Sequence, residues 1–115
     1  MGQCVRYEII LPLEYRPSPR RKRISIPPTD YDSFFRQIVA KFGGCTATNP
    51  YSPSPYVGIW KGEAENVITA FALVPARKQK AAMEAFSRWK DELEKKYKQK
   101  LILIFHYNVN TIGDL

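Results

Sequence analysis

Hydrophobic and polar residues alternate along the first segment of the chain. Every second residue is apolar from position 5 to position 13, and the intervening positions include Arg6 and Glu8. A period of two with one largely apolar face predicts a strand. Residues 16–23 contain two prolines and five basic residues, which predict an exposed loop, and residues 24–26 are expected to pair back as a short strand.

Two later segments place their apolar residues at helical spacing. The first helix is predicted to begin near Thr29, which with Asp32 resembles a capping box, and to stop at Gly43 and Gly44. The second helix is predicted to carry Pro75 in its first turn and to end near position 100. The two apolar stripes consist of Tyr31, Phe34, Phe35, Ile38, Val39 and Phe42, and of Ala82, Met83, Phe86, Trp89, Leu93 and Tyr97.

The remaining pattern predicts three further strands. They cover residues 56–60, 67–74 and 101–109, and residues 61–66 are expected to form the hairpin connection between the first two. The order strand, helix, strand, strand, helix, strand is typical of the ferredoxin-like βαββαβ sandwich. The sequence therefore predicts an α+β fold in a single domain over residues 1–115, with an antiparallel sheet and two helices on one face.

One face of this sheet is expected to lack a cover. The strands at 67–74 and 101–109 are apolar on both sides, so the face without helices would be a larger apolar patch than monomers usually expose. A second copy packed sheet to sheet is the simplest cover, because most soluble oligomers are symmetric homo-oligomers. The pattern therefore predicts a homodimer through the open sheet face.

Composition narrows the classes of protein that fit this chain. The 115 residues are 44% hydrophobic and 25% charged, which is typical of a folded globular protein. No apolar run is long enough to span a membrane, and the first residues lack a secretion signal. We therefore expect a cytoplasmic protein with no membrane partner. Cys4 and Cys45 have neither disulfide nor zinc spacing, and no cofactor or metal is predicted.

A short motif in the middle of the chain supplies a family resemblance. The run from Phe42 to Thr46, followed by Gly58, Ile59 and Trp60, resembles the FGGxT and GxW pattern of a group of small, uncharacterised bacterial proteins. The likeness spans the region from the first helix to the hairpin. It implies a ferredoxin-like fold and carries no activity, and residues 16–23 lie outside it.

The charge of the chain is concentrated in the loop at 16–23. The net charge is +7, and this loop contributes five bases and no acid. Neighbouring cations either stay hydrated at a repulsive cost or bind an external polyanion, and arginine can hold phosphate oxygens with two donors. The predicted nucleic-acid-binding residues are Arg16, Arg20, Arg21, Lys22 and Arg23. The same loop is also consistent with a solvated hairpin tip or with docking on an acidic protein.

The resulting hypothesis is a non-catalytic nucleic-acid-binding or regulatory subunit that contacts the phosphate backbone. The first alternative is a protein–protein assembly subunit of a larger complex, whose basic loop docks on an acidic partner. The second alternative is a small-ligand binder or enzyme that uses His106 in a dimer cleft, with Glu8 on the same face if the strand register allows it. No catalytic residue is assigned, since one histidine without a motif is more often structural.

Other residues that could carry chemistry have a simpler interpretation. Tyr51, Tyr56 and Trp60 could stack on bases, but packing is the expected use of such aromatic residues. The acidic pairs of residues 30 and 32 and of 63 and 65 fit a helix start and a hairpin turn, respectively. No spacing in the sequence brings these acids together with His106, so no metal site is predicted.

Overall fold

The computed structural model describes residues 2–18, 20–48, 56–60, 63–98 and 102–113, and of residues 56–60 and 63–65 only the backbone. The strands and helices, in chain order, are β1 (Gly2–Pro12), β2 (Glu14–Tyr15), β3 (Ile24–Ser25), α1 (Asp32–Phe42), β4 (Thr46–Ala47), β5 (Tyr56–Trp60), β6 (Glu63–Pro75), α2 (Gln79–Lys96) and β7 (Leu103–Thr111). Short 3-10 turns, Pro28–Tyr31 and Ala76–Lys78, precede the two helices.

The large sheet is antiparallel and has β1 at its centre. The strand order is β4-β6-β1-β7, and β5 also pairs with β6. Both β4 and β5 lie on the edge of β6 opposite β1, since Ala70 and Val67 each have a partner on both sides. A separate two-stranded sheet is formed by β2 and β3. The α+β class with an antiparallel sheet and two helices is therefore confirmed.

The core lies between one face of the large sheet and both helices. Odd-numbered residues of β1 point into it, and Ile9 and Leu11 are completely buried. From the helices, Ile38 and Phe86 meet this face, and Phe86 stacks on Tyr7 with ring centroids 4.3 Å apart. Because α1 and α2 contribute to one apolar cluster with the same strand face, neither of these two helices lies on the opposite face.

The start of α1 differs from the prediction, whereas its end does not. The 3-10 turn Pro28–Tyr31 leads into the helix, and neither start has a side-chain hydrogen bond, so the capping box at Thr29 is wrong. At the other end Gly43 has φ of 95°, in the left-handed region that glycine adopts without a Cβ clash. The predicted glycine stop is therefore confirmed.

The predicted start of α2 is also wrong. Pro75 is the last residue of β6, where it lies opposite Cys4, and α2 begins four residues later at Gln79. On the helix, Met83 of the predicted stripe is 43% exposed, and Ala85 is buried in the core instead. The stripe fails at this position because Met83 lies about 100° around the helix from Ala82, whereas Ala85 and Phe86, three and four residues later, return to the same side.

Three strand boundaries depart from the sequence pattern. β6 begins at Glu63, so the expected connection at 61–66 is mostly strand, although residues 61 and 62 lie outside the described residues. β7 covers Leu103–Thr111 instead of 101–109, and β1 starts at Gly2. β4 has no counterpart in the prediction. It is held by pairing with β6 and by Thr48, whose backbone amide donates to the Thr69 carbonyl at 2.8 Å.

Candidate functional site

A short hairpin carries the basic residues that the sequence singles out. β2 and β3 pair over two residue pairs, and next to them the Ile26 amide donates to the Leu13 carbonyl at 2.7 Å. The Leu13 amide donates to the Asn66 carbonyl at 2.9 Å, which connects the hairpin to β6. On the helix side, the ring of Tyr15 lies 5.8 Å from that of Tyr97. The stem is thus attached to the rest of the molecule at two places, through Leu13 and through Tyr15.

The tip of this hairpin is turned toward solvent. The Arg21 amide donates to the Ser18 carbonyl at 3.1 Å, which closes a tight turn within the loop. The side chains of Arg20, Arg21 and Lys22 are exposed, and Arg16 at the start of the loop is exposed as well. The structure therefore places three consecutive cations at the end of an anchored stem.

Arg23 differs from these three residues. Its guanidinium lies 4.0 Å from the Glu14 carboxylate, and both side chains are about 28% exposed. The Asn66 side-chain amide also donates to Glu14, at 3.3 Å, so this carboxylate is a shared anchor at the base of the loop. The guanidinium of Arg23 is therefore directed partly toward Glu14 of its own chain and only partly toward solvent.

The positive charge at the tip is not neutralised within the described part of the chain. Among residues 2–18, 20–48, 66–98 and 102–113, whose side chains the structure describes, no ion pair joins Arg20, Arg21 or Lys22 to an acidic side chain. Like charges this close repel each other, and water or an external anion has to compensate them. This is the chemical condition under which phosphate oxygens bind.

The open face of the sheet forms a second candidate surface. We use this name for the described side chains of β1, β4, β6 and β7 that point away from the helices. In β7 these side chains are large and apolar: Leu103 and Phe105 are each 37% exposed, and Tyr107 is 43% exposed. The remaining members in the centre of the face are Arg6, Glu8, Ile10, Thr46, Thr69, Phe71, Leu73 and Val109.

A polar cluster occupies the middle of the open face. Arg6 Nε donates to Glu8 Oε1 at 2.9 Å, and the Tyr107 hydroxyl donates to the same oxygen at 2.5 Å. The hydrogen bond to Glu8 is the main cause that raises the pKa of Tyr107 above its ordinary value. The Arg6 guanidinium also lies 3.8 Å from the centroid of the Phe71 ring, as in a cation–π contact.

Sequence reasoning missed this cluster, although part of it was visible. Arg6 and Glu8 are two residues apart in a strand and therefore share a face. The position of Tyr107 depends on the register between β1 and β7, in which Tyr107 lies opposite Arg6. A groove of about 290 Å³ extends from Arg6 and Glu8 across β6 to β4, where Thr46 and Thr48 form part of its wall.

The strand register does not allow the pairing of His106 with Glu8. In the register of β1 and β7, His106 lies opposite Tyr7 and Glu8 lies opposite Phe105. The two side chains therefore point to opposite faces of the sheet. His106 is exposed on the helix side, where its ring lies 5.1 Å from that of Tyr7. A base and carboxylate pair from these two residues is ruled out by geometry.

The other chemically active residue types add no further site. Burial raises the pKa of the Cys45 thiol, which disfavours the nucleophilic thiolate, and Cys4 is buried. Within the described ranges, His, Cys, Asp and Glu side chains form no group of three that could hold a metal ion. Asp30 accepts a hydrogen bond from the Tyr97 hydroxyl at 3.3 Å. The predicted roles of Tyr51 and of the side chains of residues 56, 60, 63 and 65 lie outside the described residues.

Comparison with known proteins gives no information on the function of these surfaces. Comparisons with protein-family models, with curated proteins and with solved structures returned no match to this chain. The resemblance carried by residues 42–46 and 58–60 therefore stays a prediction. Over the described part of the chain, neither helix combines the length and the apolar character needed to cross a bilayer.

Proposed function

We propose that this chain is a non-catalytic nucleic-acid-binding or regulatory subunit that contacts the phosphate backbone through residues 16–23. The observation that carries the proposal is the exposure of Arg20, Arg21 and Lys22 at the tip of an anchored hairpin, without an acidic partner among the described residues. Arg16 and Arg23 flank this cation triplet, and the contact of Arg23 with Glu14 gives it the smaller role.

The anchored stem matters because it limits the cost of binding. Ordering a flexible basic loop on an anion consumes part of the interaction energy. Here the stem is already fixed by the backbone hydrogen bonds of Leu13 and by the contact of Tyr15 with Tyr97, so only the tip has to adapt. The stem is also short, which lets a cation at the tip reach a backbone phosphate without insertion into a groove.

The mode of recognition follows from which groups are available. Phosphate contacts position a nucleic acid and release counterions, whereas base edges or stacked bases carry sequence information. On the open face, the Arg6 guanidinium covers the ring of Phe71, and the Glu8 carboxylate repels phosphate. We therefore propose binding that depends on charge and is largely independent of sequence, with the cytoplasm as its site.

The arrangement of strands supports a ferredoxin-like sandwich as the scaffold for this function. If β4 and β5 count as one position beside β6, the order across the sheet is second, third, first and fourth strand of a βαββαβ unit. The connections between these strands contain α1 and α2 where that unit has its helices. We propose this topology as the finer description of the α+β fold.

The experiment compares two variants that lose the same charge. The loop variant combines Arg20→Gln, Arg21→Gln and Lys22→Gln, and the control combines Arg77→Gln, Lys78→Gln and Lys80→Gln, which are exposed at the start of α2. Affinity for fluorescently labelled single-stranded and double-stranded oligonucleotides is measured by anisotropy at low salt.

We expect the loop variant to weaken binding at least about tenfold, since three phosphate contacts are lost, and the control to change it far less. Equal losses in both variants would show that only net charge matters, and an unchanged loop variant would show that the proposal is wrong. Docking of the basic loop on an acidic protein stays a prediction. If the chain does not bind the oligonucleotides, binding of labelled polyglutamate to the unaltered chain and to the loop variant tests it. The use of His106 in a dimer cleft is not supported by any contact described above.

A further inference from the structure

We propose that the open face of the sheet is a homodimer interface, in which a second copy packs face to face and Arg6 of each copy pairs with Glu8 of the other. This inference does not depend on the proposed binding of nucleic acid. It rests on the register of the three long strands and on the position of the two charges on the central strand.

The two charges lie symmetrically about one row of the sheet. This row contains Tyr7 of β1, Ala72 of β6 and His106 of β7, which are paired with one another. Arg6 and Glu8 are one residue before and one residue after the row. A two-fold axis that lies between two stacked sheets, parallel to this row, therefore places Arg6 of one copy above Glu8 of the other.

The same axis also matches the apolar residues. Phe105 and Tyr107 flank the row in β7, so Phe105 of one copy lies above Tyr107 of the other copy, and Tyr107 above Phe105. Phe71 and Leu73 flank it in β6 and exchange in the same way. A single operation thus pairs opposite charges with each other and large apolar side chains with each other, which is the condition for an isologous interface.

The charge of the face favours a second copy over an anionic partner. Each chain carries a net charge of +7, so two copies repel each other wherever their surfaces are cationic. The described side chains of the open face contain one arginine and one glutamate, and these cancel. The open face is consequently a surface on which two copies can meet with little repulsion, and it offers nucleic acid no excess of positive charge.

Arg6 retains the chemistry needed for a second carboxylate. A guanidinium has five N–H donors, and the hydrogen bond to Glu8 of the same chain uses the one on Nε. The side chains of Arg6 and Glu8 are already about 30% exposed, so much of their desolvation has occurred within the monomer. An added pair across the interface therefore costs less than burying two fully hydrated ions would.

The size of the face is of the order that a stable dimer needs. β7 has nine residues, and at about 3.4 Å per residue and about 4.8 Å between strands the three long strands project to roughly 440 Å². Side chains make the accessible area larger than this projection, and a typical specific interface buries about 800 Å² per partner. The open face is thus of the size of a small specific interface in which all three long strands take part.

Charge reversal tests the pairing directly. The R6E variant has two negative charges on the open face, and the E8R variant has two positive charges, so each should repel its own copies. We expect light scattering to show a dimer for the unaltered chain and monomers for each variant, with a dissociation constant raised at least about 100-fold. An equimolar mixture of the two variants should form a heterodimer, because the opposite charges then face each other.

Several results would overturn the proposal. They are a monomeric unaltered chain at concentrations up to several hundred micromolar, variants that dimerise as well as the unaltered chain, or a mixture that stays monomeric. Circular dichroism of each variant checks that it is folded, and Phe105→Ser supplies a second disruption that leaves both charges in place. If that variant weakens oligonucleotide binding while the unaltered chain is monomeric, the face is a base-stacking platform and the proposal is wrong.

Discussion

The two faces of the large sheet are made by the same strands but differ in what they bury. On the face covered by the helices, Ile9 and Val74 are completely inaccessible, and the core formed by the described side chains contains no charged residue. On the open face, Phe105 and Tyr107 are more than one third exposed, and Arg6 and Glu8 lie between apolar side chains. The covered face holds the monomer together, and the open face is a surface with unused apolar area.

This difference shows why alternation alone does not identify a surface. In β6 both alternating sets are apolar over residues 67–74, and in β7 the more apolar set is the one on the open face, so hydrophobicity of these two strands does not tell which set the helices cover. The covered set is determined by β1, where one set is apolar from Val5 to Leu11 and the other contains the Arg6 and Glu8 pair. The central strand therefore decides the orientation for the whole sheet.

Matched phenylalanine truncations should produce the largest contrast between the faces. Phe86 is 2% exposed and contacts the rings of Tyr7, Phe42 and Trp89, so Phe86→Ala should reduce the free energy of unfolding by about 3–5 kcal/mol. Phe105→Ala should reduce it by about 1 kcal/mol, since the ring is partly hydrated in the monomer. Urea unfolding at a concentration where light scattering shows monomer measures both values, and equal losses would contradict the comparison.

Removing a hydroxyl group should also matter more on the covered side. The Tyr31 hydroxyl is buried and donates to the Pro12 carbonyl, so Tyr31→Phe should cost about 2 kcal/mol by leaving a buried acceptor without this donor. Tyr107→Phe makes the same chemical change on the open face, where water can replace the lost bond. The free energies of unfolding in urea should differ in that order, and the reverse order would show that the open face is the better packed one.

The next contrast concerns a carboxylate on the covered side, at the junction of α2 and β7. Glu94 accepts hydrogen bonds from Lys90 Nζ and from the Ile102 amide, both at 2.7 Å. Burial opposes ionisation of Glu94, but these two donors outweigh it and lower the pKa below the ordinary value of 4.5. Glu94→Gln should therefore cost about 1 kcal/mol at neutral pH.

The direction of the pKa shift of Glu94 determines how its contribution to stability depends on pH. A lowered pKa in the folded protein means that the carboxylate stabilises the fold above 4.5 and loses that contribution as the pH falls through its folded pKa. The difference between the unaltered chain and Glu94→Gln should therefore shrink in acid. A difference that stays constant from neutral to acidic pH would show that Glu94 acts through packing and not through its charge.

The smallest effect is expected from the tyrosine of the open face. The hydrogen bond to Glu8 raises the pKa of Tyr107 above 10.0, so this bond contributes below that pH and is lost as the pH rises through the folded pKa. The phenolate absorbance of the unaltered chain minus that of Tyr107→Phe gives the titration of this residue. Glu8→Gln should lower the midpoint, and an unchanged midpoint would show that the pair does not form.

The fold could be predicted from sequence wherever the pattern is local. The alternation of β1 and the stripe of α1 require only neighbouring residues, and Gly43 ends α1 because its own backbone conformation suits a stop. By contrast, Thr46 and Ala47 form a strand only because β6 is beside them, and no local feature indicates this. The ends of β6 and β7 are determined by partner strands in the same way.

The two candidate sites also differ in whether local sequence is enough to predict them. The exposed cations at Arg20, Arg21 and Lys22 were visible in the sequence, because prolines and a run of charge define a loop without reference to the rest of the chain. The cluster of Arg6, Glu8 and Tyr107 was not, and the condition that His106 and Glu8 share a face could not be checked from sequence and is not met. Both depend on the register between β1 and β7, which is a property of the folded sheet.

The salt dependence of nucleic-acid binding tests the central claim most directly. The logarithm of the binding constant is plotted against the logarithm of the salt concentration for the unaltered chain, the loop variant and the charge-matched control at the start of α2. If Arg20, Arg21 and Lys22 each contact a phosphate of duplex DNA, the slope of the loop variant is smaller in magnitude by about 2–3, and the control keeps the original slope. Parallel lines for all three proteins would contradict the account, because the loop would then not touch phosphate.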